Sequence, residues 1–345
     1  MHVWLRRVSL LAVLCAASPA IALDQEHVDV DALDTSSEGQ MEGWYHRVAV
    51  AAGLSFSTSN RVVGQEDGAT TTVSLNVGYN ADLIRGQHEL RNTLSITESI
   101  TRTPLIDEFV KSGDELFEEA IYYYRLPRSP WLGPFARVSL RTSLFKGFDV
   151  PAATTDYLVT RNDGTTVERR DRNRLQLTRN FGPTTLKQSL GLFARPSDDA
   201  AWSVDIRFGM GARETFAAGN FVVDDDDATP EVDVRELRDF SQAGAEGAFG
   251  LSGATPSGDV TYGVTFEMLL PFYDSVDDSA LNAWEATNYE AGANLAFVIS
   301  DWVNVGYQFG ALREPQLLAD WQVTNQLLLT ITQGFSSTPE SRASR

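Results

Sequence analysis

The feature that most constrains the fold of this sequence is a short pattern in which apolar and polar residues alternate, and which recurs along the chain. A period of two places successive side chains on opposite faces of a β-strand. About twelve such runs can be placed, and tight turns alternate with long polar connections between them. This arrangement predicts an all-β fold, a transmembrane antiparallel up-and-down β-barrel of about 12 strands with short periplasmic turns and long external loops. The clearest run has the apolar members Val73, Leu75, Val77, Tyr79 and Ala81.

The predicted strands follow one another from residue 45 to residue 335. An even number returns both chain ends to the periplasmic side, and counts of about ten or fourteen fit the pattern as well. A secreted β-sandwich would alternate too, but it has no reason to sort its connections into short and long sets. The long connections are predicted at 147–183, 215–235 and 273–285. The strands are predicted at 45–57, 73–82, 88–101, 114–126, 131–146, 184–196, 201–214, 236–253, 258–272, 286–299, 301–313 and 319–335.

The N-terminus has the composition of an export signal. Arg6 and Arg7 precede an apolar stretch, and Ala20 and Ala22 form a small-x-small cleavage site. The single cysteine, Cys15, lies within this signal, so the mature chain is predicted to have no thiol. The protein is therefore predicted to be exported to the bacterial outer membrane. Its predicted parts are a signal peptide at 1–22, an acidic periplasmic leader at 23–43, an outer-membrane β-barrel at 44–335 and a polar C-terminal tail at 336–345.

The chain is strongly acidic, with 28 Lys and Arg against 47 Asp and Glu and a formal net charge of −19. A surface of this charge is a poor partner for nucleic acid, so nucleic-acid binding is not expected. After the signal, no segment has the roughly 18 consecutive apolar residues that a helical span needs. If the protein crosses a membrane, it does so with strands.

Four segments carry a family resemblance: GATTTVSLNVGY at 68–79, ELRNTLSI at 89–96, KSGDELFE at 111–118 and FGPTTLKQSLGL at 181–192. Through them the chain resembles the outer-membrane barrels of domain-of-unknown-function family 3078, over about residues 44–335. The resemblance implies the barrel fold and an outer-membrane location. It implies no activity, because that family has none established.

The inward faces of the predicted strands carry charges of both signs. Opposed charges can line a hydrated pore and set an internal field, and they can equally pair across a small barrel and close it. Both interpretations stay open on the sequence alone. The bases predicted to face the interior are Arg91, Arg137, Arg141, Lys187, Arg195, Arg207 and Arg213. The acids predicted to face it are Asp82, Asp205, Glu246, Glu267 and Glu290.

The most acidic segment, Asp224, Asp225, Asp226 and Asp227, lies in the second long connection. Carboxylates suit a hard cation such as Ca²⁺, so this segment is a possible cation-binding loop. It lacks the spaced ligands and the glycine of a defined calcium loop, and a solvated external loop is the competing interpretation. No defined metal site and no cofactor is predicted.

The positions of the histidines argue against an enzyme. A hydrolase in such a barrel would need a nucleophile and a base at its external rim. His46 and His88 instead fall near the periplasmic ends of predicted strands, and the other two histidines precede the barrel. An outer-membrane hydrolase is therefore the third of three functions considered.

The leading functional prediction is a passive pore or binding channel for a small polar solute. The inward bases favour anionic groups, although acidic external loops would repel anions at the entrance. The alternative is a non-conducting structural or surface-interaction barrel that presents its long loops. Predicted partners are outer-membrane lipid and lipopolysaccharide, the barrel-assembly machinery and the solute itself. The last strand resembles the C-terminal element through which such barrels are assembled, with Leu327, Leu329, Ile331 and Phe335 at alternate positions.

Overall fold

The computed structural model of the chain describes residues 41–59, 68–198, 201–224, 230–276, 282–300 and 302–337. The predicted signal peptide, most of the predicted leader and most of the predicted tail lie outside these residues. Within the described part of the chain, no helix is long and apolar enough to cross a membrane.

The described residues form eighteen β-strands, and twelve of these close into one antiparallel barrel. The predicted all-β barrel of about 12 strands is confirmed. The barrel strands are β1 (Gly43–Ser59), β2 (Gly68–Arg85), β3 (His88–Thr103), β4 (Ile106–Tyr124), β5 (Leu132–Thr142), β10 (Thr184–Asp198), β11 (Trp202–Phe216), β14 (Phe240–Ala254), β15 (Val260–Asp274), β16 (Asn288–Ser300), β17 (Val303–Glu314) and β18 (Leu318–Ser337). The other strands are β6 (Phe148–Asp149), β7 (Thr155–Thr160), β8 (Thr166–Arg172), β9 (Leu175–Gln176), β12 (Phe221–Val223) and β13 (Val232–Glu236).

The strands follow one another around the barrel in chain order. The ring runs β1, β2, β3, β4, β5, β10, β11, β14, β15, β16, β17 and β18, and β18 closes it by pairing with β1. In that last pairing Val48 lies opposite Phe335, and Leu54 lies opposite Leu329. The closed ring leaves no free sheet edge, which is what a strand-built membrane span requires, since lipid offers no hydrogen bonds to backbone groups.

The outer surface of the barrel carries the apolar half of each alternating run. Leu190, Phe208 and Leu327 are 64%, 68% and 68% exposed, although each lies in the middle of a strand. Apolar side chains this exposed belong in lipid rather than in water. Trp44 and Trp202 stand at the periplasmic ends of their strands, where an aromatic girdle meets the membrane interface. The barrel is therefore of the transmembrane type.

Two strand boundaries differ from the prediction for a visible reason. β4 begins at Ile106 instead of residue 114, because a tight turn joins it directly to β3. β5 ends at Thr142 instead of residue 146. There the carboxylate of Asp114 accepts hydrogen bonds from the backbone amides of Leu144 (2.7 Å) and Phe145 (2.8 Å), which draws the chain out of the ladder.

The first two long connections, predicted as loops, contain folded structure. Strands β12, β13, β7 and β8 form a separate four-stranded sheet, in which β13 and β7, from different connections, run parallel. Its core contains Tyr157, Val159 and Val234. Tyr157 is fully buried and donates a hydrogen bond to Asp149 Oδ2 at 2.6 Å. Burial and this carboxylate raise the pKa of the Tyr157 phenol. We call residues 143–183 and 217–239 the external cap.

The external cap is attached to the barrel rim. Ala217, Val222 and Leu237 of the cap pack in one buried cluster with Phe240 of β14 and Leu317, which lies in the turn before β18. Because Leu317 lies between β17 and β18, about three strands round the ring from β14, this cluster spans part of the external mouth. The connections that form the cap leave β5 and β11 and return to β10 and β14, so the cap is tied to one side of the ring.

Candidate functional site in the barrel lumen

The strand register turns every predicted interior charge toward the lumen. In β11, for example, Ile206, Phe208 and Met210 are exposed on the lipid side, which leaves Arg207 on the opposite face. The same alternation applies to the other strands. The structure brings the predicted residues together in ion pairs, and it adds partners that the sequence analysis did not single out.

One set of ion pairs crosses the middle of the lumen, and we call it the middle lattice. The Arg137 guanidinium contacts Glu119 and lies 2.6 Å from Glu267 Oε2. Lys187 Nζ lies 2.9 Å from both Glu267 and Glu290, and Arg141 Nη2 lies 3.0 Å from Glu290. Longer contacts join Glu246 to Arg137 (3.7 Å) and Glu115 to Arg141 (3.6 Å). The middle lattice consists of Arg137, Arg141, Lys187, Glu115, Glu119, Glu246, Glu267 and Glu290.

The middle lattice divides the lumen into two unequal parts. Arg141 lies on β5 and Glu290 on β16, which are five steps apart in the ring of twelve strands. Their contact is therefore almost a diameter of the barrel. Strands β10, β11, β14 and β15 stand on one side of it, and β4, β3, β2, β1, β18 and β17 stand on the other.

A second set of charges lies near the periplasmic end, and we call it the periplasmic cluster. The Glu89 carboxylate contacts Arg91, Arg125 and Arg195, and it is only 3% exposed. Arg195 also lies 2.8 Å from Asp205, over the ring of Tyr123 at 4.0 Å. The periplasmic cluster consists of Glu89, Arg91, Arg125, Arg195, Asp205 and Arg207, the last of which contacts Asp205 at 3.0 Å.

Near the external end, Arg213 of β11 pairs with Glu314 of β17, and both side chains are buried. Beside them a chain of amides is fixed by one carboxylate. Asp274 Oδ2 accepts hydrogen bonds from Gln242 Nε2 (2.8 Å) and Gln316 Nε2 (2.6 Å). Gln242 Oε1 in turn accepts a hydrogen bond from Asn288 Nδ2 at 2.7 Å.

The opposite side of the lumen has a different lining. Most inward positions of β1, β2, β17 and β18 carry small or uncharged polar residues, and ten of these are half-buried rather than buried. The charged exceptions are the Arg47–Asp82 pair (2.8 Å) near the periplasmic end and Glu314 near the external end. Inward side chains with this exposure are in contact with lumen solvent. We call them the neutral wall: Ala51, Ser55, Thr72, Ser74, Asn76, Asn304, Gly306, Gln308, Gln322 and Thr332.

A small cavity, with space for one group of about the size of a water molecule, opens between the middle lattice and the Arg213–Glu314 pair. Its charged lining comes from Lys187, Glu246, Glu267 and Glu290 below and from Arg213 above. Asn288, Leu269 and Leu312 complete much of the remaining wall. The cavity therefore combines carboxylates, bases and an amide within the barrel.

The predicted acidic loop is described only at its first residue. Asp224 follows β12 and lies 2.7 Å from the Arg235 guanidinium, so its carboxylate takes part in an ion pair of the external cap. Asp225, Asp226 and Asp227 lie outside the described residues. Among the described residues, no group of His, Cys, Asp and Glu has an arrangement that could hold a metal ion.

Both described histidines lie on the outer face near the periplasmic end. His46 Nδ1 is 3.0 Å from the hydroxyl of Tyr79, and His88 Nδ1 is 2.6 Å from the hydroxyl of Tyr122. These partners are tyrosines of the membrane interface rather than residues of the external rim.

Sequence reasoning missed four acidic partners of the predicted bases. Glu89, Glu115 and Glu119 occupy inward positions of β3 and β4, and Glu314 ends β17. The alternation could have revealed Glu115 and Glu119, because Arg137 and Arg141 lie on the next strand. The run from Ile121 to Tyr124, apolar on both faces, obscured the orientation of that strand.

A closed barrel with an apolar outer belt and a charged, solvent-lined lumen defines the class of outer-membrane β-barrels. No known family model matches the chain, and no curated protein matches it in sequence. The resemblance to domain-of-unknown-function family 3078 therefore stays a prediction.

Three solved structures with a similar arrangement are distant from this chain in sequence. An outer membrane channel from Pseudomonas putida F1 is 14% identical, with 88% of this chain and 98% of that chain covered and a TM-score of 0.37. The translocator domain of the autotransporter NalP from Neisseria meningitidis is 10% identical, with 88% and 91% covered and a TM-score of 0.35. The β domain of a Bordetella autotransporter is 10% identical, with 84% and 97% covered and a TM-score of 0.32. At these values the similarities carry no argument about function.

Proposed function

We propose that the protein is a passive channel of the bacterial outer membrane that passes small polar solutes along the neutral wall. The observation that supports this proposal is the position of the Arg141 to Glu290 contact. It closes off one side of the lumen and leaves the half-buried hydroxyl, amide and small side chains of β1, β2, β17 and β18 facing the remaining interior. Hydroxyl and amide groups there can exchange hydrogen bonds with a solute as they do with water.

The predicted preference for anions loses its physical basis in this geometry. Each of the seven bases predicted to face the lumen lies within an ion pair with a carboxylate. A base that is already paired offers little attraction to a passing anion. In this proposal the inward bases hold the barrel interior together and are not assigned to an anion-conducting stripe.

The channel proposal is tested by reconstituting the folded chain in two assays. Planar bilayers should show discrete current steps in KCl, and liposomes containing the protein should swell in isotonic glycerol. Folding is checked beforehand by heat-dependent migration on a gel. Absence of both current and swelling with demonstrably folded protein would overturn the proposal.

The external cap favours a second candidate, a barrel that acts through its outer surface. All seven residues of β8 are exposed, and β8 is the terminal strand of the cap sheet. An unpaired strand edge can accept another extended chain. This function predicts loss of binding to a surface partner when the cap is removed, with no dependence on the lumen residues.

A further inference from the structure

We infer that the cavity above the middle lattice is a binding site for an ammonium group, formed by Glu246 and Asn288. The inference rests on the proposed channel and names its substrate class: small polar solutes that carry a primary ammonium. The cavity is lined by strands from β10 to β17 and lies above the level of the Arg141–Glu290 contact, so a solute would present its ammonium to these two residues before it passes along the neutral wall.

The middle lattice has more carboxylates than bases. Its ion pairs join three bases to five carboxylates, which leaves two formal negative charges. Carboxylates withdrawn from water need a compensating charge or a proton. A cation that enters this level of the lumen supplies that charge, whereas an anion adds to the excess.

The hydrogen bonds around Asn288 fix the direction in which its side-chain amide points. Asp274 can only accept, so Gln242 must turn its amide nitrogen toward it and its oxygen toward Asn288. Asn288 must then donate its own amide nitrogen to Gln242. The remaining atom, Asn288 Oδ1, is a buried acceptor without a hydrogen-bond partner among the described residues, and Asn288 is 7% exposed.

Glu246 supplies the charged acceptor of the same cavity. It is 6% exposed, and the nearest base, Arg137 Nη1, lies 3.7 Å away, beyond hydrogen-bond distance. Gly211 on the next strand makes room for it, because a Cβ at that position would come within 2.3 Å of Glu246 Oε2. Glu246 and Asn288 both line the cavity.

An ammonium group matches these acceptors because it has three donors and no acceptor. The lattice already holds one ammonium in this way, since Lys187 Nζ donates to Glu267 and Glu290 at 2.9 Å each. Among the described residues, no group of His, Cys, Asp and Glu is arranged to hold a metal ion.

Reversal potentials in planar bilayers test the inference. The probes are ethanolammonium chloride, which has N–H donors, and tetramethylammonium chloride, which has none. The wild-type channel should prefer cations over chloride and should pass ethanolammonium more readily than tetramethylammonium.

Glu246→Gln should weaken the ethanolammonium preference about tenfold, because a charge-assisted hydrogen bond is lost. Asn288→Ala should weaken it to a smaller extent and serves if Glu246→Gln does not fold. Glu168→Gln, in the exposed strand β8, is the matched control and should behave as wild type.

The outcomes separate this inference from the channel proposal. Conduction without a preference for ethanolammonium, or with a preference unchanged in both lumen variants, overturns the ammonium site and leaves the channel intact. Absence of current overturns the channel. In that case calorimetric titration of ethanolammonium chloride into the folded protein in detergent decides the site: binding that Glu246→Gln abolishes keeps it, and absence of binding rejects it.

Discussion

The two sides of the lumen differ in the charge and in the burial of their inward side chains. From β4 to β16, the inward positions carry charges that are buried and paired across the barrel. From β17 through β1 to β2, the neutral wall carries small or uncharged groups that are only half-buried, with the Arg47–Asp82 pair below it and Glu314 above it. On the charged side, ion pairs join strands that are not neighbours. The strands of the neutral wall are held together by the hydrogen bonds between adjacent strands.

This difference shows how one barrel can be rigid and passable at once. Cross-lumen pairs fix the distance between opposite strands, and the space they leave unfilled lies against the neutral wall. A stabilising change on one side and a transport change on the other should therefore be separable by mutation.

The largest effect is expected where the charged side is broken. Arg137→Ala leaves Glu119, Glu246 and Glu267 without their shared base, and the loss of one partner of a buried ion pair costs about 3–5 kcal/mol of stability. Urea unfolding followed by tryptophan fluorescence measures the change. Arg170→Ala, which removes an exposed pair with Glu168 in the external cap, is the control and should leave the unfolding midpoint unchanged. Equal midpoints for both variants would contradict a structural role of the middle lattice.

The neutral wall is expected to respond in conductance and not in stability. Gly306 has room for a side chain, since an added Cβ meets its nearest neighbour, Leu295 O, only at 3.7 Å. Gly306→Phe should place a ring in the passage and reduce single-channel conductance severalfold. Gly247→Phe is the matched control, because Gly247 faces the lipid side of β14 and an added Cβ there is 3.7 Å from Met268. Unchanged conductance in Gly306→Phe would place the passage elsewhere.

A smaller effect is expected from the separation of positive and negative charge along the barrel axis. The periplasmic cluster joins four bases to two acids, whereas the middle lattice has two more acids than bases. Fixed charges of opposite sign in series make ion flow depend on the direction of the voltage. The current in symmetric KCl should therefore rectify, and Arg207→Gln should reduce the asymmetry. A linear current–voltage curve for the wild type would disprove this charge profile.

The smallest effect is expected in the external cap. Tyr157→Phe removes the hydrogen bond to Asp149, which is worth about 1 kcal/mol, and should speed proteolytic cleavage of the cap without altering conductance. A change in conductance would show that the cap and the neutral wall are coupled.

The same tyrosine gives the cap a dependence on alkaline pH. The folded protein raises the pKa of Tyr157 above its ordinary value of 10.0, so its protonated form is the one that stabilises the cap. That contribution is complete below the ordinary value and is lost as the pH rises through the folded value. Proteolytic cleavage of the wild-type cap should therefore accelerate at strongly alkaline pH. The Tyr157→Phe variant should not show the acceleration that ionisation of Tyr157 causes.

The alternation of the sequence was sufficient to predict the barrel and the inward residues. A ladder with a period of two fixes the face of each side chain, which is why Arg137, Lys187, Glu267 and Glu290 could be placed in the lumen from spacing alone. Their partners could not be assigned, because a pair such as Arg141 and Glu290 depends on which strands face each other across the closed ring.

The external cap escaped prediction for a different reason. Its central pair, β7 and β13, joins short segments from two separate connections, and each segment pairs on its other edge with a strand of its own connection. Val159 and Val234 lie opposite each other in that central pair. Local periodicity can indicate the short strands but not the pairing that joins the two connections into one sheet.

The long reach of the lumen contacts has a consequence for how the barrel is completed. Arg141 and Glu290 are 149 positions apart in the chain, and Arg137 and Glu267 are 130 apart. A partly assembled barrel that ends before β15 presents the three bases of the middle lattice without Glu267 and Glu290. Lys187 then has neither of its carboxylate partners, and Arg137 and Arg141 each lack one, so the interior itself distinguishes a finished barrel from a truncated one.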